Sequence, residues 1–447
     1  MREANKLLLA YYGDDFTGST DALEFLSRAG AKTVLFIEPP TPERLAAYPG
    51  IQAVGVAGLS RSMTPEQMEE TLPSAFQTLK KLGAAHVHYK VCSTFDSSPA
   101  IGSIGKAIDI GSRVFEREFI PLVVAAPVLG RYCLFGNLFA RMGIGSQGEI
   151  YRLDRHPSMK NHPVTPADES DLLLHLSKQT SRSSALLHIL QLETTHAAEI
   201  LKEKIAGGAE VILFDALYQE HLIRIGELID AFADAGKPLF SAGSSGIEMA
   251  LGSFWQRQGL LQKQPQWEGP GKAGPLLAAS GSCSPVTSAQ IAYAVNAGFA
   301  EIALDTEAIA AGDTKLLDSY SSAAAGYIRE GRNVIIHTDA EKRSGNSGQD
   351  TAALYGTALG QIVRQAAEKA AFRRLVIAGG DTSSYAARAM GIEAVEMIAP
   401  LAPGAPLCRA YAPGSAVDGK EVNFKGGQVG GEDYFGMVLE GVSVIAN

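Results

Sequence analysis

Short apolar runs alternate with longer amphipathic stretches along almost the whole chain. The short runs fit buried strands, and the longer stretches carry apolar residues at spacings of three and four, which is typical of helices packed on a sheet. This alternation predicts an α/β fold with a mostly parallel sheet flanked by helices. The predicted strands are residues 7–12, 33–37, 53–57, 86–91, 122–126, 185–190, 211–214, 238–241, 275–279, 301–304, 334–338 and 375–378. The predicted helices include residues 64–82, 101–115, 195–206, 220–235, 285–297, 314–330 and 349–371.

One segment interrupts this rhythm. Residues 262–274 are dominated by Pro, Gly and polar residues, which is typical of a linker. With 447 residues the chain is also too long for one ordinary core. We therefore predict an N-terminal domain over 1–262, a linker over 263–274 and a C-terminal domain over 275–447. Each domain should be a mostly parallel sheet flanked by helices, with the active site in the interdomain cleft.

The bulk composition excludes several classes of function. The formal net charge is −9 and no run of Lys or Arg occurs, so nucleic acid and anionic membranes are not expected partners. No apolar stretch approaches the roughly 20 residues of a membrane helix, and the N-terminus resembles a first strand more than a signal peptide. The four cysteines stand far apart, without a CxxC pair. We expect a soluble cytoplasmic protein, and a homodimer on base rates alone.

The first predicted strand runs into the sequence Gly-Asp-Asp-Phe-Thr-Gly-Ser-Thr-Asp at 13–21. Ligands of open α/β sheets bind beyond the carboxyl ends of the strands. The carboxylates of Asp14 and Asp15 and the hydroxyl of Thr17 suit the hydroxyls of a polyol, and one carboxylate can accept a proton from an attacking oxygen. Alternatively, one Asp is a helix N-cap and Gly18 a turn residue. A single cap explains only one of the two carboxylates.

Two further loops follow strands of the N-terminal half. Arg61 follows the strand over 53–57, while Lys90, Ser93 and Thr94 follow the strand over 86–91. Arg61 can form a bidentate pair with a substrate carboxylate, and Lys90 a simpler charge contact. Ser93 and Thr94 supply hydroxyl and backbone donors. The alternative is that Arg61 and Lys90 are ordinary solvated charges.

Three glycine-containing loops occur in the C-terminal half, two of them directly after predicted strands. Glycine lets the backbone approach phosphate oxygens, and helix N–H groups and hydroxyls donate to them, so three such loops together indicate an anion site. None of them is a Walker A sequence, and none is a GxGxxG motif. The candidate residues are Ser282, Gly379, Gly380, Asp381, Thr382, Gly426 and Gly427.

Four motifs of this chain, and their order along the sequence, resemble those of the four-carbon acid sugar kinase family. They are the sequence at 13–21, Ala-Ala-Ser-Gly-Ser-Cys-Ser at 278–284, Gly-Gly-Asp-Thr-Ser at 379–383 and Lys-Gly-Gly-Gln at 425–428. The resemblance implies an ATP-dependent kinase that phosphorylates a hydroxyl of a small sugar acid. It implies that the acid binds in the first domain, where Asp15 orients or deprotonates the hydroxyl. Arg61 and Lys90 then hold the carboxylate of the acid. The resemblance also assigns the glycine loops to ATP. ATP normally arrives with Mg²⁺, and Asp381 is the first candidate for an indirect Mg²⁺ partner.

The chain departs from the family pattern after Lys90. Many members have Lys-x-Asp-Ser-Thr-Leu-Arg-Gly there, whereas Cys92 replaces the Asp and Asp96 replaces the Arg in this chain. We count Asp96 among the substrate-binding candidates, and the acid is a 3-oxo-tetronate, threonate, erythronate or the branched 3-oxo-isoapionate. Two other classes of function stay open at this point. One is a non-catalytic sensor of sugar phosphates or nucleotides, and the other is a dehydrogenase or epimerase.

Two other features of the sequence allow more than one interpretation. The segment 155–166 contains two His between prolines and is expected to be an ordered loop with Thr165 as a helix cap, with a lid over the cleft as the alternative. Cys283, beside a glycine loop, is expected to be a packed thiol because no His can be placed against it.

Overall fold

The computed structural model describes residues 6–142, 148–162, 164–263, 267–282, 284–338 and 349–443, with the side chain of Asp381 among those left outside. The chain divides into two compact units. The first consists of residues 1–14, 25–33 and 39–264, and the second of residues 15–24, 34–38 and 265–447. Two short N-terminal segments therefore belong with the C-terminal half of the chain.

The described residues of the two units form eighteen strands and sixteen α-helices. The strands are β1 Leu9–Gly13, β2 Thr33–Phe36, β3 Ala53–Ala57, β4 His86–Lys90, β5 Ile120–Val123, β6 Arg131–Leu134, β7 Asn137–Arg141, β8 Ile150–Arg152, β9 Ser184–Leu187, β10 Val211–Phe214, β11 Leu239–Gly243, β12 Leu276–Ser280, β13 Ala300–Leu304, β14 Val334–Thr338, β15 Arg374–Ala378, β16 Ala394–Ala402, β17 Ala405–Tyr411 and β18 Glu421–Lys425. The helices are α1 Phe16–Arg28, α2 Pro42–Leu45, α3 Pro65–Lys81, α4 Ile104–Phe115, α5 Pro157–Lys160, α6 Leu172–Ser177, α7 Ile189–Leu192, α8 Ala197–Ala206, α9 Gln219–Asp230, α10 Gly246–Arg257, α11 Pro285–Asn296, α12 Thr306–Ala310, α13 Thr314–Arg329, α14 Gln349–Lys369, α15 Gly380–Ala389 and α16 Tyr434–Glu440.

The first unit is built on a parallel sheet. Its strands lie in the order β3-β1-β4-β11-β5-β10-β9, and each neighbouring pair is parallel. Strands β1, β3 and β4 are fully buried, as expected for a sheet covered on both faces. Because they run in the same direction, their carboxyl ends lie at one edge of the sheet. Asp14, Arg61 and Lys90 lie at or just beyond that edge.

A small antiparallel sheet of β6, β7 and β8 accompanies the parallel sheet of the first unit. Strands β6 and β7 are joined by Phe135 and Gly136, which have φ values of 47° and 77°. Two consecutive residues with positive φ are typical of a type I′ hairpin turn. Their N–H groups donate to the buried carboxylate of Asp215 at 2.6 and 3.0 Å, which stabilises the turn.

The second unit combines parallel and antiparallel strands. Strands β13-β14-β12-β15-β18 are parallel neighbours, and β17, β16 and β2 continue the sheet in antiparallel pairing. The start of α1 is anchored to this unit by packing and by hydrogen bonds. The ring of Phe16 lies 4.5 Å from that of Phe424. Thr20 Oγ1 donates to the carbonyl of Gly404 at 3.0 Å, and the Gly404 N–H donates to Glu24 at 2.8 Å.

The predicted α/β class, with mostly parallel sheet and flanking helices, is confirmed, and each predicted strand and helix has a counterpart. The predicted strand over 185–190 ends early, because Ile189–Leu192 forms a short helix. The sequence patterns missed β6 to β8, the antiparallel strands β16 and β17, and β18. The first five are hairpin strands, without the helical stretch that follows a strand of a parallel sheet. No helix of the described chain is long and apolar enough to cross a membrane.

Candidate functional site

The first unit presents a buried ion pair at the end of β1. The side chain of Asp14 is 2% exposed. Arg61 donates to it from Nη2 at 2.7 Å and from Nε at 3.1 Å, and the Arg61 N–H donates to the Asp14 carbonyl at 3.0 Å. Arg61 lies in the 3₁₀ turn after β3, and 28% of its side chain is exposed. A bidentate pair of this kind fixes the orientation of the guanidinium.

Lys90 ends β4 and is also buried. Its carbonyl accepts from the Asp14 N–H at 2.8 Å, and its Nζ donates to the Val91 carbonyl at 3.0 Å. The structure therefore brings Asp14, Arg61 and Lys90 together at one edge of the sheet. A solvated surface position, the alternative interpretation, does not describe Lys90.

The chain after Lys90 forms a tight turn. The hydroxyl of Thr94 lies 2.9 Å from Cys92 Sγ. Burial, followed by the nearby charge of Asp96, raises the pKa of the Cys92 thiol to about 11. At neutral pH the thiol is therefore protonated and is not a nucleophile. Phe95, at the end of the turn, adopts a left-handed conformation with φ of 59°.

A small pocket opens beside this turn. Oδ1 of Asp96 is buried and has no hydrogen-bond partner within the described part of the chain. Such an oxygen is suited to accept a hydrogen bond from a ligand hydroxyl, because leaving a buried acceptor without a partner costs free energy. The pocket is lined by Thr94, Phe95, Asp96, Ser97, Leu153, Thr165, Pro166, Ala167, Glu169, Leu172 and His175.

Arg131, which the sequence patterns did not select, supplies a positive charge near this turn. It is 6% exposed, and its Nη1 donates to the carbonyls of Leu129, Gly130 and Arg141. Its Nε is buried and has no partner among the described residues. Burial lowers the pKa of Arg131, and the charges of Cys92 and Asp96 act in the opposite direction. A buried guanidinium near a buried carboxylate makes the first unit suited to acids that carry hydroxyls.

Asp15, adjacent to Asp14 in sequence, belongs to the second unit. Its carboxylate accepts from the Gly18 N–H and from Thr17 Oγ1, both at 2.7 Å, so it occupies the cap position before α1. A Cβ atom built on Gly380 would lie 3.9 Å from Asp15 Oδ2 and 3.7 Å from Thr17 Oγ1. Asp15 is therefore a cap, as the alternative interpretation held, and it also lies beside a glycine loop.

Three loops leave the carboxyl ends of three adjacent parallel strands in the second unit. In β12, β15 and β18 the registered neighbours are Ser280, Ala378 and Lys425, so the loops begin side by side. The Gly281 N–H donates to the Ala378 carbonyl at 3.1 Å, and the Gly379 N–H donates to the Lys425 carbonyl at 2.9 Å. The sheet thus holds the loops together through its backbone.

Close approaches explain why these loops carry glycine. A Cβ atom on Gly281 or Gly379 would lie 2.4 or 2.8 Å from Thr382 Oγ1, and Gly379 has φ of 120°. A Cβ atom on Gly427 would lie 2.8 Å from Ser282 Oγ. Because α11 and α15 begin at these loops, their first N–H groups add donors for an anion. Ser282, Gly379, Gly380, Thr382, Gly426 and Gly427 therefore form one cluster.

The structure corrects one prediction for the segment 155–166. Thr165 does not cap a helix, since its N–H and hydroxyl lie 3.0 Å from His162 Nδ1. The caps of α5 and α6 are His156 and Asp171. Cys283 and the side chain of Asp381 lie outside the described residues. Within the described ranges, no group of three or more His, Cys, Asp or Glu residues is arranged to hold a metal ion.

Comparison with protein-family models agrees with different binding roles for the two halves of the chain. A model described as a sugar-binding N-terminal domain matches residues 9–251, and a model described as a nucleotide-binding C-terminal domain matches residues 277–435. Together they cover most of the chain. The chain belongs to the four-carbon acid sugar kinase family.

Relatives in this family align over nearly the whole length. A 3-oxo-isoapionate kinase of Paraburkholderia graminis is 43% identical over 97% of this chain and 94% of its own length. A 3-oxo-tetronate kinase of Cupriavidus necator is 29% identical over 98% of this chain and 97% of its own. A crystal structure from Salmonella typhimurium, described as a putative tRNA synthase, matches with a TM-score of 0.76. It covers 97% of this chain and 98% of that chain at 24% identity, which shows a shared fold alone.

Several residues of the two clusters escaped the sequence patterns. Arg131 and His175 lie far along the chain from the turn that they approach, and no motif connects them to it. Lys425 had a readable signal, because a lysine ends an otherwise buried strand directly before two glycines. Family membership does not assign a role to any of these residues.

Proposed function

We propose that this protein is an ATP-dependent kinase that phosphorylates a hydroxyl of a small sugar acid, with 3-oxo-isoapionate as the first candidate. The observation that carries the proposal is the cluster of glycine loops at the ends of β12, β15 and β18, with Asp15 and Thr17 beside it. A backbone anion site next to a carboxylate suits phosphoryl transfer, in which positioning and charge neutralisation provide most of the acceleration. The names of the relatives agree with this activity and do not favour a non-catalytic sensor.

In the proposed mechanism the first unit binds the acid. Arg61, held by Asp14, pairs with the substrate carboxylate, and Lys90 adds positive charge. Ser93 and Thr94 donate hydrogen bonds, and Asp96 accepts one from a substrate hydroxyl. Arg131 offers a second guanidinium for the same acid.

The second unit binds ATP through the loops that contain Ser282, Gly379, Gly380, Thr382, Gly426 and Gly427, with Asp381 beside them. The acceptor hydroxyl attacks the γ-phosphorus, and the bond from that phosphorus to the bridging oxygen of ADP breaks. Asp15 orients the hydroxyl and takes its proton. The Thr17 hydroxyl, 2.7 Å from Asp15 Oδ2, holds the carboxylate in place.

We propose Mg²⁺ as the companion of ATP, where it neutralises charge on the phosphate oxygens. The described residues fit such a cation, because hydroxyl and carboxylate oxygens, the donors that Mg²⁺ prefers, lie beside the glycine loops on Thr17, Thr382 and Asp15. Asp381 stays a proposed indirect partner. We also propose a cytoplasmic location, because the phosphoryl donor is made and used there.

The test is ADP release with MgATP against a panel of acids. The panel contains 3-oxo-isoapionate, 3-oxo-tetronates, threonate and erythronate, with neutral sugars and the Asp15→Asn variant as controls. We expect ADP release that depends on an acid and is absent with neutral sugars. Nucleotide binding without turnover on any acid would contradict the proposed acceptor, and absence of nucleotide binding would contradict the proposed donor.

A further inference from the structure

Lys425 is an unusual lysine. It ends β18, directly before Gly426 and Gly427, and its side chain is completely buried. Its Nζ donates to Thr287 Oγ1 at 3.0 Å and lies 5.3 Å from the centroid of the Tyr434 ring. Burial alone lowers the pKa of Lys425 to about 7. A buried ammonium is costly unless it is paired with an anion.

The protein does not provide that anion within its described part. No described carboxylate forms an ion pair with Lys425. The groups that face it are neutral, namely Thr287 on α11 and Tyr434 on α16, whose hydroxyl donates to Asn423. Glu421, at the far end of β18, is paired with two arginines, Arg373 and Arg374. Lys425 therefore lies beside the glycine loops without a counter-charge among the described side chains.

Lys425 also connects two of the three glycine loops. Its carbonyl accepts from the Gly379 N–H at 2.9 Å. Its ammonium reaches the other loop through Thr287, whose hydroxyl donates to the Gly427 carbonyl at 2.8 Å. From the same helix, Gln290 Nε2 donates to the carbonyls of residues 429, 430 and 431 at 3.0, 3.2 and 2.9 Å. These hydrogen bonds hold the loop in place through its carbonyls.

We propose that Lys425 is a positioning residue of the nucleotide site, and that its ammonium is the buried counter-charge of the nucleotide phosphates and takes up a proton when the nucleotide binds. The inference rests on the proposed function, since it needs a nucleotide at these loops. Nothing in it requires direct contact between Lys425 and phosphate. The charge acts through a low-dielectric interior, where electrostatic interactions are strong.

The proposal fixes the direction of two pH effects. Phosphate charge favours the protonated form and raises the pKa of Lys425 above about 7, so binding at pH 8 draws in a proton, and affinity falls as the pH rises further. For the folding stability of the nucleotide-free protein, the pH dependence has the opposite sign. The unfolded state keeps the ordinary lysine pKa and binds more protons between about pH 7 and 10.5, so the stability of the free protein rises with pH in that window.

The experiment is calorimetric titration of the full-length protein with MgADP at pH 8. Titrations in two buffers with different ionisation enthalpies give the number of protons that are taken up when MgADP binds. Lys425→Met should lose the proton uptake and bind MgADP about 10- to 100-fold more weakly at pH 7, because the buried counter-charge of the phosphates is removed. Lys425→Arg should restore affinity without proton uptake, because its guanidinium is always charged.

Lys420→Met is the matched control. Lys420 is also partly buried, donates to the Phe372 carbonyl at 2.7 Å and lies at the opposite end of β18, so its replacement should leave binding and proton uptake unchanged. A purely structural role predicts that Lys425→Met melts earlier than wild type without nucleotide. Our proposal predicts an equal or higher melting temperature at pH 7, because a buried unpaired charge has been removed.

The outcomes are distinguishable from a failure of the proposed function. If the wild-type protein does not bind MgADP, the proposed function fails. If it binds without proton uptake at pH 8, or if Lys425→Met binds as tightly as wild type, the inference about Lys425 is overturned. Should Lys425→Met not fold, Thr287→Val cuts the connection to Gly427 while keeping the lysine. That variant should bind more weakly and still take up a proton, and unchanged affinity would overturn the positioning role.

Discussion

The two units recognise their proposed ligands by different means. In the first unit, charged side chains of Asp14, Arg61 and Asp96 provide the polar groups. In the second unit, backbone N–H groups of glycine loops provide them, and side chains mainly shape the loops. A backbone site accepts any anion of suitable shape, whereas a side-chain site changes with each substitution. The proposed function therefore predicts that substitutions in the first unit change which acid is used, whereas substitutions in the glycine loops of the second unit change nucleotide binding.

The change from the side-chain site of the first unit to the backbone site of the second occurs between two residues that are adjacent in the sequence. Asp14 pairs with Arg61 in the first unit, and Asp15 caps α1 beside Gly380 in the second. Two carboxylates that look equivalent in the sequence therefore have different partners. Separate substitutions can show whether they also have different roles.

Asp15→Asn should produce the largest effect. The amide cannot accept the proton of the attacking hydroxyl, so kcat should fall by about 10²- to 10⁴-fold, the range of general acid–base catalysis. Asn caps a helix as well as Asp, so stability and nucleotide affinity should be nearly unchanged. Steady-state kinetics with MgATP and titration with MgADP measure the two quantities.

Asp14→Asn is the matched control for this substitution. It weakens the pair that orients Arg61 and should raise the KM for the acid while leaving the KM for ATP unchanged. Equal effects of the two variants on kcat would contradict the separate roles of the two carboxylates.

Gly379→Ala should weaken nucleotide binding next most strongly. Alanine is strained at φ of 120°, and its Cβ would lie 2.8 Å from Thr382 Oγ1. Strain of this kind costs about 1–3 kcal/mol, which corresponds to about a 5- to 150-fold loss of MgADP affinity if it is released by distorting the loop. Binding of the acid, measured without nucleotide, should not change.

Gly414→Ala is the control for backbone strain alone. Gly414 also has positive φ, at 79°, but nothing lies within 4 Å of its added Cβ. This variant should lower the melting temperature without changing nucleotide affinity. A similar loss of affinity in both glycine variants would indicate general destabilisation and count against a backbone phosphate site.

Asp96→Asn tests the acid half and should have a smaller effect. Removing the negative charge from the buried acceptor weakens its hydrogen bond to the substrate, which should lower kcat/KM for the preferred acid by about tenfold and leave nucleotide affinity unchanged. The ratio of kcat/KM between two acids of the panel reports selectivity. Asp168→Asn, at an exposed residue paired with Lys178, is the control. Unchanged selectivity in Asp96→Asn would exclude Asp96 from substrate recognition.

The sequence predicted most of the parallel strands of both units, for a physical reason. Parallel strands carry local signals, namely an apolar run, a turn residue and an amphipathic helix, and the loops at Gly379 and Ser282 follow such strands directly. The pairing of Lys425 with Thr287 could not be predicted, because it is a contact between residues 138 positions apart. Local patterns hold no information on such a contact.

The first unit also contains features that local sequence patterns do not encode. The hairpin between β6 and β7 turns at Phe135 and Gly136 instead of the common Asn-Gly, because Asp215, 80 residues away, stabilises the turn. Arg131 approaches Asp96 through this hairpin. Thr165 was predicted as a cap from its position before a helix, but Asp171, which comes later, takes that position. A long-range side-chain contact decides the hairpin turn, whereas Asp14, Arg61 and Lys90 could be placed from strand ends alone.

Alkylation of Cys92 should show the smallest effect and tests the electrostatics of the acid half directly. The pKa of this thiol is raised to about 11 by burial and then by the charge of Asp96. At pH 8 the thiolate fraction is therefore low, and iodoacetamide should modify Cys92 far more slowly than a free cysteine, with a rate that rises toward pH 11. Asp96→Asn removes the second cause, so the pKa should fall and alkylation at pH 8 should accelerate about two- to fivefold. Mass spectrometry locates the adduct, and fully buried Cys408 serves as the internal control. A rate that does not respond to Asp96→Asn would mean that the carboxylate does not act on this turn, and the role of Asp96 in holding the acid would lose its electrostatic basis.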